Sequence, residues 1–286
     1  MSVNVNARIL EGRPIALRIR DDVFNRAKAL RARQITPFLA VFVGEGDTEG
    51  AYYAESLRKV SEKLGVTVLA TTVPAAGGTG VMLTAINRAG ADPSVHGIVV
   101  QRPLPTGFDA YSIYQAIPTA KDVDGANPTS LGLLAQGVPH FVPATAAAVI
   151  VMLREPGLPP IAGARAVVLG RSAVVGRPVA YLLMAADATV TVCHTKTRDP
   201  EAICRSADIL VAAIGKPRFV GPTMIKRGAT VIDVGTNLID GKVVGDVDTD
   251  AVAQIAGAVT PVPGGVGVVT TSILLRNVVA AAEQGL

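Results

Sequence analysis

A chain of 286 residues is longer than one core usually supports and suits two domains. With 49% hydrophobic and 17% charged residues it is no disordered chain, and two cysteines and three scattered histidines exclude a disulfide framework and argue against a bound metal. A net charge of +4 without a basic run, beside 4% aromatics, argues against nucleic acid and for an anionic small molecule as partner. The uncharged stretches 131–153 and 251–275 are broken by Gly, Pro and polar residues, so neither reads as a membrane span. Asn4, Asn6, Arg8 and Glu11 interrupt the opening residues, which therefore do not read as a secretory leader, and a cytoplasmic location is expected.

In chain order, residues 15–32 carry apolar positions at helical spacing, and 38–43 form a continuous apolar run closed by Gly44, as in a strand buried on both faces. Residues 52–64 predict a helix ended by Gly65, 66–73 a strand, 80–88 a helix and 97–101 a strand that runs into Arg102-Pro103-Leu104-Pro105. Prolines crowd 139–160 around one apolar helix, 144–154, where a domain connection fits. Strands are then predicted at 166–169, 188–193, 208–214, 229–234 and 258–262, helices at 175–185 and 200–206, and a last helix at 271–283. Repeated alternation of this kind predicts two α/β domains with mostly parallel sheets, the second of Rossmann type. The expected boundaries are 1–144 plus 270–286 for the first domain and 145–269 for the second.

The strand 166–169 is followed by Gly170-Arg171-Ser172-Ala173-Val174-Val175-Gly176 and then by a helix. A glycine at the strand end permits a tight turn, and one at the helix start lets backbone N–H groups approach a pyrophosphate at the positive end of the helix dipole. The spacing differs from the usual Gly-x-Gly-x-x-Gly, and a tight turn in any α/β protein is the rival reading. After the next strand stand His194-Thr195-Lys196-Thr197, where NAD enzymes place an acid for the ribose hydroxyl. Hydroxyls, Lys196 and Arg171 suit a 2′-phosphate instead, so NADP is expected, with NAD the alternative.

Eight segments in order resemble the methylenetetrahydrofolate dehydrogenase/cyclohydrolase (FolD) family. They are Val43-Gly44 before a Tyr-bearing helix, Val100-Gln101-Arg102-Pro103-Leu104-Pro105, Lys121-Asp122-Val123-Asp124-Gly125, the turn from Gly170 to Pro178, Cys193-His194-Thr195-Lys196-Thr197, Val231-Ile232-Asp233-Val234-Gly235, Val243-Val244-Gly245-Asp246-Val247, and the Gly-rich loop from Thr260 to Gly267. The resemblance implies a folate site in a cleft between the domains, hydride transfer from the one-carbon bridge to NADP, hydrolysis of the methenyl cation, and a homodimer. It places Tyr53 against the folate ring, Gln101 in the reacting site and Asp124 on the pterin N–H groups. Pro103, Leu104, Pro263, Gly264, Gly265 and Gly267 join the substrate contacts. The cofactor set it implies is Gly170, Arg171, Ser172, Val175, Gly176, His194, Thr195, Lys196, Gly215, Gly235 and Thr236.

One position departs from the pattern. Counted back from Gly65, Tyr53 takes the family Tyr and Leu57 the place of the catalytic Lys; counted forward from Gly44, Tyr52 and Ser56 take those places. Neither register restores the Lys. Thr195, Ser130, Leu133 and Val268-Val269 also replace usual family residues. The expectation is an NADP-dependent dehydrogenase whose cyclohydrolase activity is lost or weak. Its rivals are a related oxidoreductase acting on another C–N bond and a non-catalytic dinucleotide- or folate-binding protein.

Overall fold

The computed structural model describes residues 7–285. In chain order its elements are β1 (Arg8–Ile9), α1 (Gly12–Ala32), β2 (Phe38–Gly44), α2 (Thr48–Leu64), β3 (Thr67–Val73), α3 (Gly78–Ala91), β4 (Gly97–Val100), α4 (Ala110–Gln115), α5 (Pro128–Ala135) and α6 (Ala144–Leu153). There follow β5 (Arg165–Leu169), α7 (Gly176–Ala185), β6 (Thr189–Cys193), α8 (Pro200–Arg205), β7 (Ile209–Ala212), β8 (Thr230–Asp233), β9 (Asn237–Ile239), β10 (Lys242–Val244), α9 (Thr249–Val252), β11 (Ala258–Val259) and α10 (Val266–Gln284). The described chain divides into two compact units, 17–144 with 271–285 and 7–16 with 145–270.

The first unit is built on a parallel sheet in the order β3-β2-β4, with Val41 beside both Ala70 and Val99. The central strand is a continuous apolar run because its side chains are buried on both faces of the sheet. Ala40, Phe42, Ile98 and Val100 pack with Met82 and Ile86 of α3 and with Ile113 and Tyr114 of α4. Helix α2 is fixed at both ends: the Asp47 carboxylate accepts from Gly50 N at 2.8 Å, and Gly65 caps the far end at φ 79°. Between these caps Gly50, Ala54, Leu57, Ser61 and Leu64 form the buried stripe at helical spacing.

The second unit holds a six-stranded parallel sheet in the order β1-β11-β8-β7-β5-β6. Its core gathers Val167, Leu169, Leu210, Val231 and Val259 with Val252 of α9. The carboxyl ends of its strands lead into the turns at Gly170, His194, Ala213 and Val234, the edge where parallel sheets present ligands.

Several expectations need correction. Residues 7–16, assigned by the sequence reading to the first domain, group with the second, because β1 adds to β11 through Arg8 beside Ala258. The last helix starts at Val266, directly after the Gly-rich loop, rather than at 271. By length and composition this helix, α10, could cross a membrane, but 61% of its apolar window is buried in the protein. The β9–β10 hairpin was not anticipated although its turn, Asp240-Gly241 with φ of 48° and 73°, is a strong two-residue hairpin signal.

Candidate active site

In the first unit, the turn after β4 carries Arg102, whose guanidinium lies 4.0 Å from the ring of Tyr114 on α4, and the loop before α5 carries Asp124, whose charge acts on Tyr114 and on Tyr53 of α2. The loop carrying Asp124 is clamped by its neighbours. The Asp122 carboxylate accepts from Ala126 N and Asn127 N, both at 2.9 Å, and the Asn127 side chain donates to the carbonyls of Gln115 and Ile117 at 3.2 and 2.8 Å. Gly125, at φ 60°, turns the chain there, and a Cβ would lie 2.7 Å from Pro143. These constraints hold the loop that carries Asp124 in place.

Asp124 keeps part of its surface open, which gives a ligand access, while protein surrounds the carboxyl group. Burial, helped by Asp122, pushes it up to about 7; the Ala144 N–H and Arg102 pull the other way. Tyr53 is half-buried, and burial together with Asp124 pushes its phenol up to about 12, against a hydrogen bond with Thr271. Tyr114 is 4% exposed, and its hydroxyl is buried without a hydrogen-bond partner. Gln101 follows β4, its N–H donating to Phe42 O at 2.8 Å; its side-chain amide has no partner among the described residues. Pro103 is exposed and Leu104 partly buried in the same turn.

Burial separates the two candidate registers of α2. Tyr52 is 79% exposed and Ser56 is exposed, whereas Tyr53 faces Asp124 and Leu57, four residues on, is 1% exposed on the core stripe. Two lysines of this unit are engaged elsewhere. The Lys121 ammonium donates to the carbonyls of Gly90 and Asp92 at 2.9 and 2.6 Å, and Lys59 is exposed beside Glu55 at 3.6 Å.

In the second unit, the turn after β5 is tight. Gly170 has φ 118°, and a Cβ there would strike the Ala213 carbonyl oxygen. Ser172 Oγ accepts from Val175 N and Gly176 N at 3.2 Å, which shapes the entry to α7. After β6, His194 Nδ1 accepts from Lys196 N at 3.1 Å and Thr197 Oγ1 from His194 N at 2.9 Å. His194 is thus a loop brace, and the exposed side chains of Thr195, Lys196 and Arg171 remain for a ligand. Pro263, Gly264, Gly265 and Gly267 fall in this unit too, and Gly12 N donates to Gly264 O at 2.8 Å to hold their loop.

Two acids that the sequence reading left without a role organise the loops that carry the remaining expected cofactor residues. The Asp246 carboxylate accepts from Ile214, Gly215 and Lys216 N at 2.7, 3.0 and 2.9 Å and from Asn237 Nδ2 at 3.0 Å. Asp233 accepts from Gly235, Asp246 and Val247 N at 2.9, 3.0 and 2.9 Å, and burial still pushes it up to about 6. Gly215 and Gly235 are fixed by this pair, and the exposed Thr236 follows Gly235. The signal in the sequence was an acid at the end of an apolar strand, Val231-Ile232-Asp233. Among the described residues no group of three or more His, Cys, Asp or Glu is placed to hold a metal ion.

Comparison with known proteins covers nearly the whole chain. Residues 10–124 match the catalytic domain of tetrahydrofolate dehydrogenase/cyclohydrolase, and residues 143–286 match its NAD(P)-binding domain. The chain belongs to this family. The bifunctional FolD protein of Parafrankia sp. is 50% identical over 96% of this chain and 99% of its own length. That of Azoarcus sp. is 47% identical, with 98% of each chain covered. The crystal structure of the Campylobacter jejuni bifunctional FolD enzyme superposes with a TM-score of 0.94 at 36% identity, covering 98% of this chain and all of the other. The Trypanosoma brucei enzyme, solved with NADP and an inhibitor, gives 0.92 at 36% identity, covering 97% and 98%. The two α/β units with a Rossmann-type second unit are the family fold.

Proposed function

We propose that the protein is an NADP-dependent methylenetetrahydrofolate dehydrogenase with little or no methenyltetrahydrofolate cyclohydrolase activity. The observation that carries the second half is Leu57, fully buried where an amine would have to lie beside Tyr53. The two reactions ask for different things. Hydride transfer from the methylene bridge needs positioning, since nitrogen lone pairs stabilise the cation that forms and no side chain takes a proton. Hydrolysis needs a group that removes a proton from attacking water.

The chain's own groups fit the first task. Asp124, as carboxylate, accepts from a ring N–H and its exocyclic amino group; Tyr53 offers a flat apolar face; Gln101 presents a free amide at the strand end. In the second unit the N-terminus of α7 suits a pyrophosphate, and Lys196, Thr195 and Arg171 suit a 2′-phosphate. NADP supplies the hydride acceptor, and the Gly170 turn, open to close backbone approach, fits it.

A specific observation favours a second reading, in which hydrolysis is retained as well: the relatives at 50% and 47% identity are named bifunctional. Purified protein should reduce NADP when given methylenetetrahydrofolate, and should leave methenyltetrahydrofolate decaying at its spontaneous rate. Absence of NADP reduction removes the dehydrogenase reading; enzymatic hydrolysis at a rate near that of reduction selects the bifunctional rival.

A further inference from the structure

Helix α10 carries a run of buried apolar side chains, Ile273, Leu274, Leu275, Val278 and Val279, and among them a buried amide, Asn277. Burying an amide is costly unless its hydrogen bonds are made. The Asn277 side chain meets that demand far away in sequence: its Nδ2 donates to Val123 O at 2.9 Å and to Val142 O at 3.3 Å. These carbonyls belong to different loops of the first unit.

Both lie where they bear on Asp124. A peptide group is planar, so Val123 O and Asp124 N belong to one rigid unit, and so do Val142 O and Pro143 N. The Asn277 amide therefore fixes the peptide plane that leads into Asp124 and the one that leads into Pro143. Beyond Asp124, Gly125 is pressed against that same proline: a Cβ on Gly125 would lie 2.7 Å from Pro143 Cγ and 3.1 Å from Pro143 N. The segments 122–127 and 142–144 are thus tied on both sides of Asp124, by Asn277 before it and by the Gly125–Pro143 contact after it. The Asp122 carboxylate acts within its own loop, whereas Asn277 joins that loop to the segment entering α6. At the end of that segment stands the Ala144 N–H, the backbone donor set against the burial of Asp124.

We propose that Asn277 is a positioning residue of this site: by bridging the Val123–Asp124 and Val142–Pro143 peptide groups from α10, it sets the direction in which the Asp124 carboxyl group meets a ring N–H and its amino group. The residue type suits the task. A carboxamide carries two N–H donors on one nitrogen and no charge, whereas a hydroxyl has one donor to give and an ammonium would bring a charge into the core. Both bonds go to backbone, so Asn277 acts on a ligand only through Asp124. The choice of ligand rests on the folate reading above, whereas the tie between Asn277 and the Asp124 loop is a property of the ligand-free protein.

The test compares wild type, Asn277→Leu, Asp124→Ala and the double variant for tetrahydrofolate binding by calorimetry, beside NADP reduction kinetics and amide hydrogen exchange of the ligand-free proteins. Asn277→Leu should weaken binding about 10-fold in the wild-type background and less than about 2-fold where Asp124 is already Ala, because a group acting through Asp124 then has nothing to act on. With methylenetetrahydrofolate its KM should rise by a similar factor, while kcat per folded protein and the KM for NADP stay within about 2-fold of wild type. A purely structural role would lower the folded fraction and leave the folate KM in place. In hydrogen exchange the N–H groups of Val123, Gly125 and Ala126, bonded within the loop, should open faster in Asn277→Leu while those of β2 keep their rates. Unchanged binding, an equal loss with and without the Asp124 carboxylate, or exchange that quickens equally throughout the unit overturns the proposal. If Asn277→Leu does not fold, Asn277→Asp, which matches asparagine in volume and has at most one donor, takes its place in every arm. Faster exchange confined to the loop, in a protein whose wild type binds no tetrahydrofolate, removes the folate reading and leaves the tie between Asn277 and the loop in place.

Discussion

Asp124 in the first unit and the two buried acids Asp233 and Asp246 in the second are held in opposite ways. Asp233 and Asp246 in the second unit have their oxygens taken up by backbone N–H groups and an amide. Asp124 in the first unit has one backbone N–H, that of Ala144, set against its burial, and is pushed up to about 7, while the nearby Tyr114 hydroxyl is left unpaired. A satisfied acid holds loops together, whereas one whose field is left uncompensated is held ready for a ligand. Removing each should therefore break different things.

The largest effect is expected from Asp246→Ala, which orphans the N–H groups of 214–216 and should cost about 3–5 kcal/mol of stability by urea unfolding, with loss of NADP binding. Asp124→Ala should do the reverse, weakening tetrahydrofolate binding by on the order of 100-fold in calorimetry while the melting temperature holds or rises. If the two variants behave alike, the contrast between the units is false.

The pH dependence has a definite sign. The folded-state pKa of Asp124, about 7, lies above its ordinary value, so the native state binds the proton more tightly and this group favours folding at low pH. That contribution is lost as pH rises from roughly 4 to 7. Asp124→Asn, which removes the charge, should be stabilised relative to wild type by a few kcal/mol at pH 8 and by little at pH 4, a difference read from unfolding curves at the two pH values. Ligand binding runs the other way and should strengthen as the carboxylate forms. The smallest effect is expected from Lys196→Ala: about 5- to 10-fold weaker NADP binding with NAD unchanged, measured by cofactor titration.

Much of this was legible in the sequence. The apolar run at β2 and the Gly170 turn announce a parallel sheet and a phosphate-binding helix start, because both signals are local. The grouping of residues 7–16 with the second unit was not legible, since a two-residue strand carries no periodicity and its partner β11 is some 250 residues away. The register of α2 was open for a related reason: Tyr52 and Tyr53 are adjacent, and only burial separates the exposed ring from the one facing Asp124. The roles of Asp233 and Asp246 depend on hydrogen bonds between distant segments, which spacing does not reveal.

In the proposed function, Leu57 is the position on which hydrolysis turns. The most direct measurement compares methenyltetrahydrofolate hydrolysis by wild type and Leu57→Lys, with NADP reduction followed in both. The substitution places an amine on a core stripe and should cost about 2–4 kcal/mol of stability, so each rate is referred to folded protein. Wild type should hydrolyse no faster than buffer, and the lysine variant measurably faster. Rapid hydrolysis by wild type, unaffected by the substitution, would contradict the account.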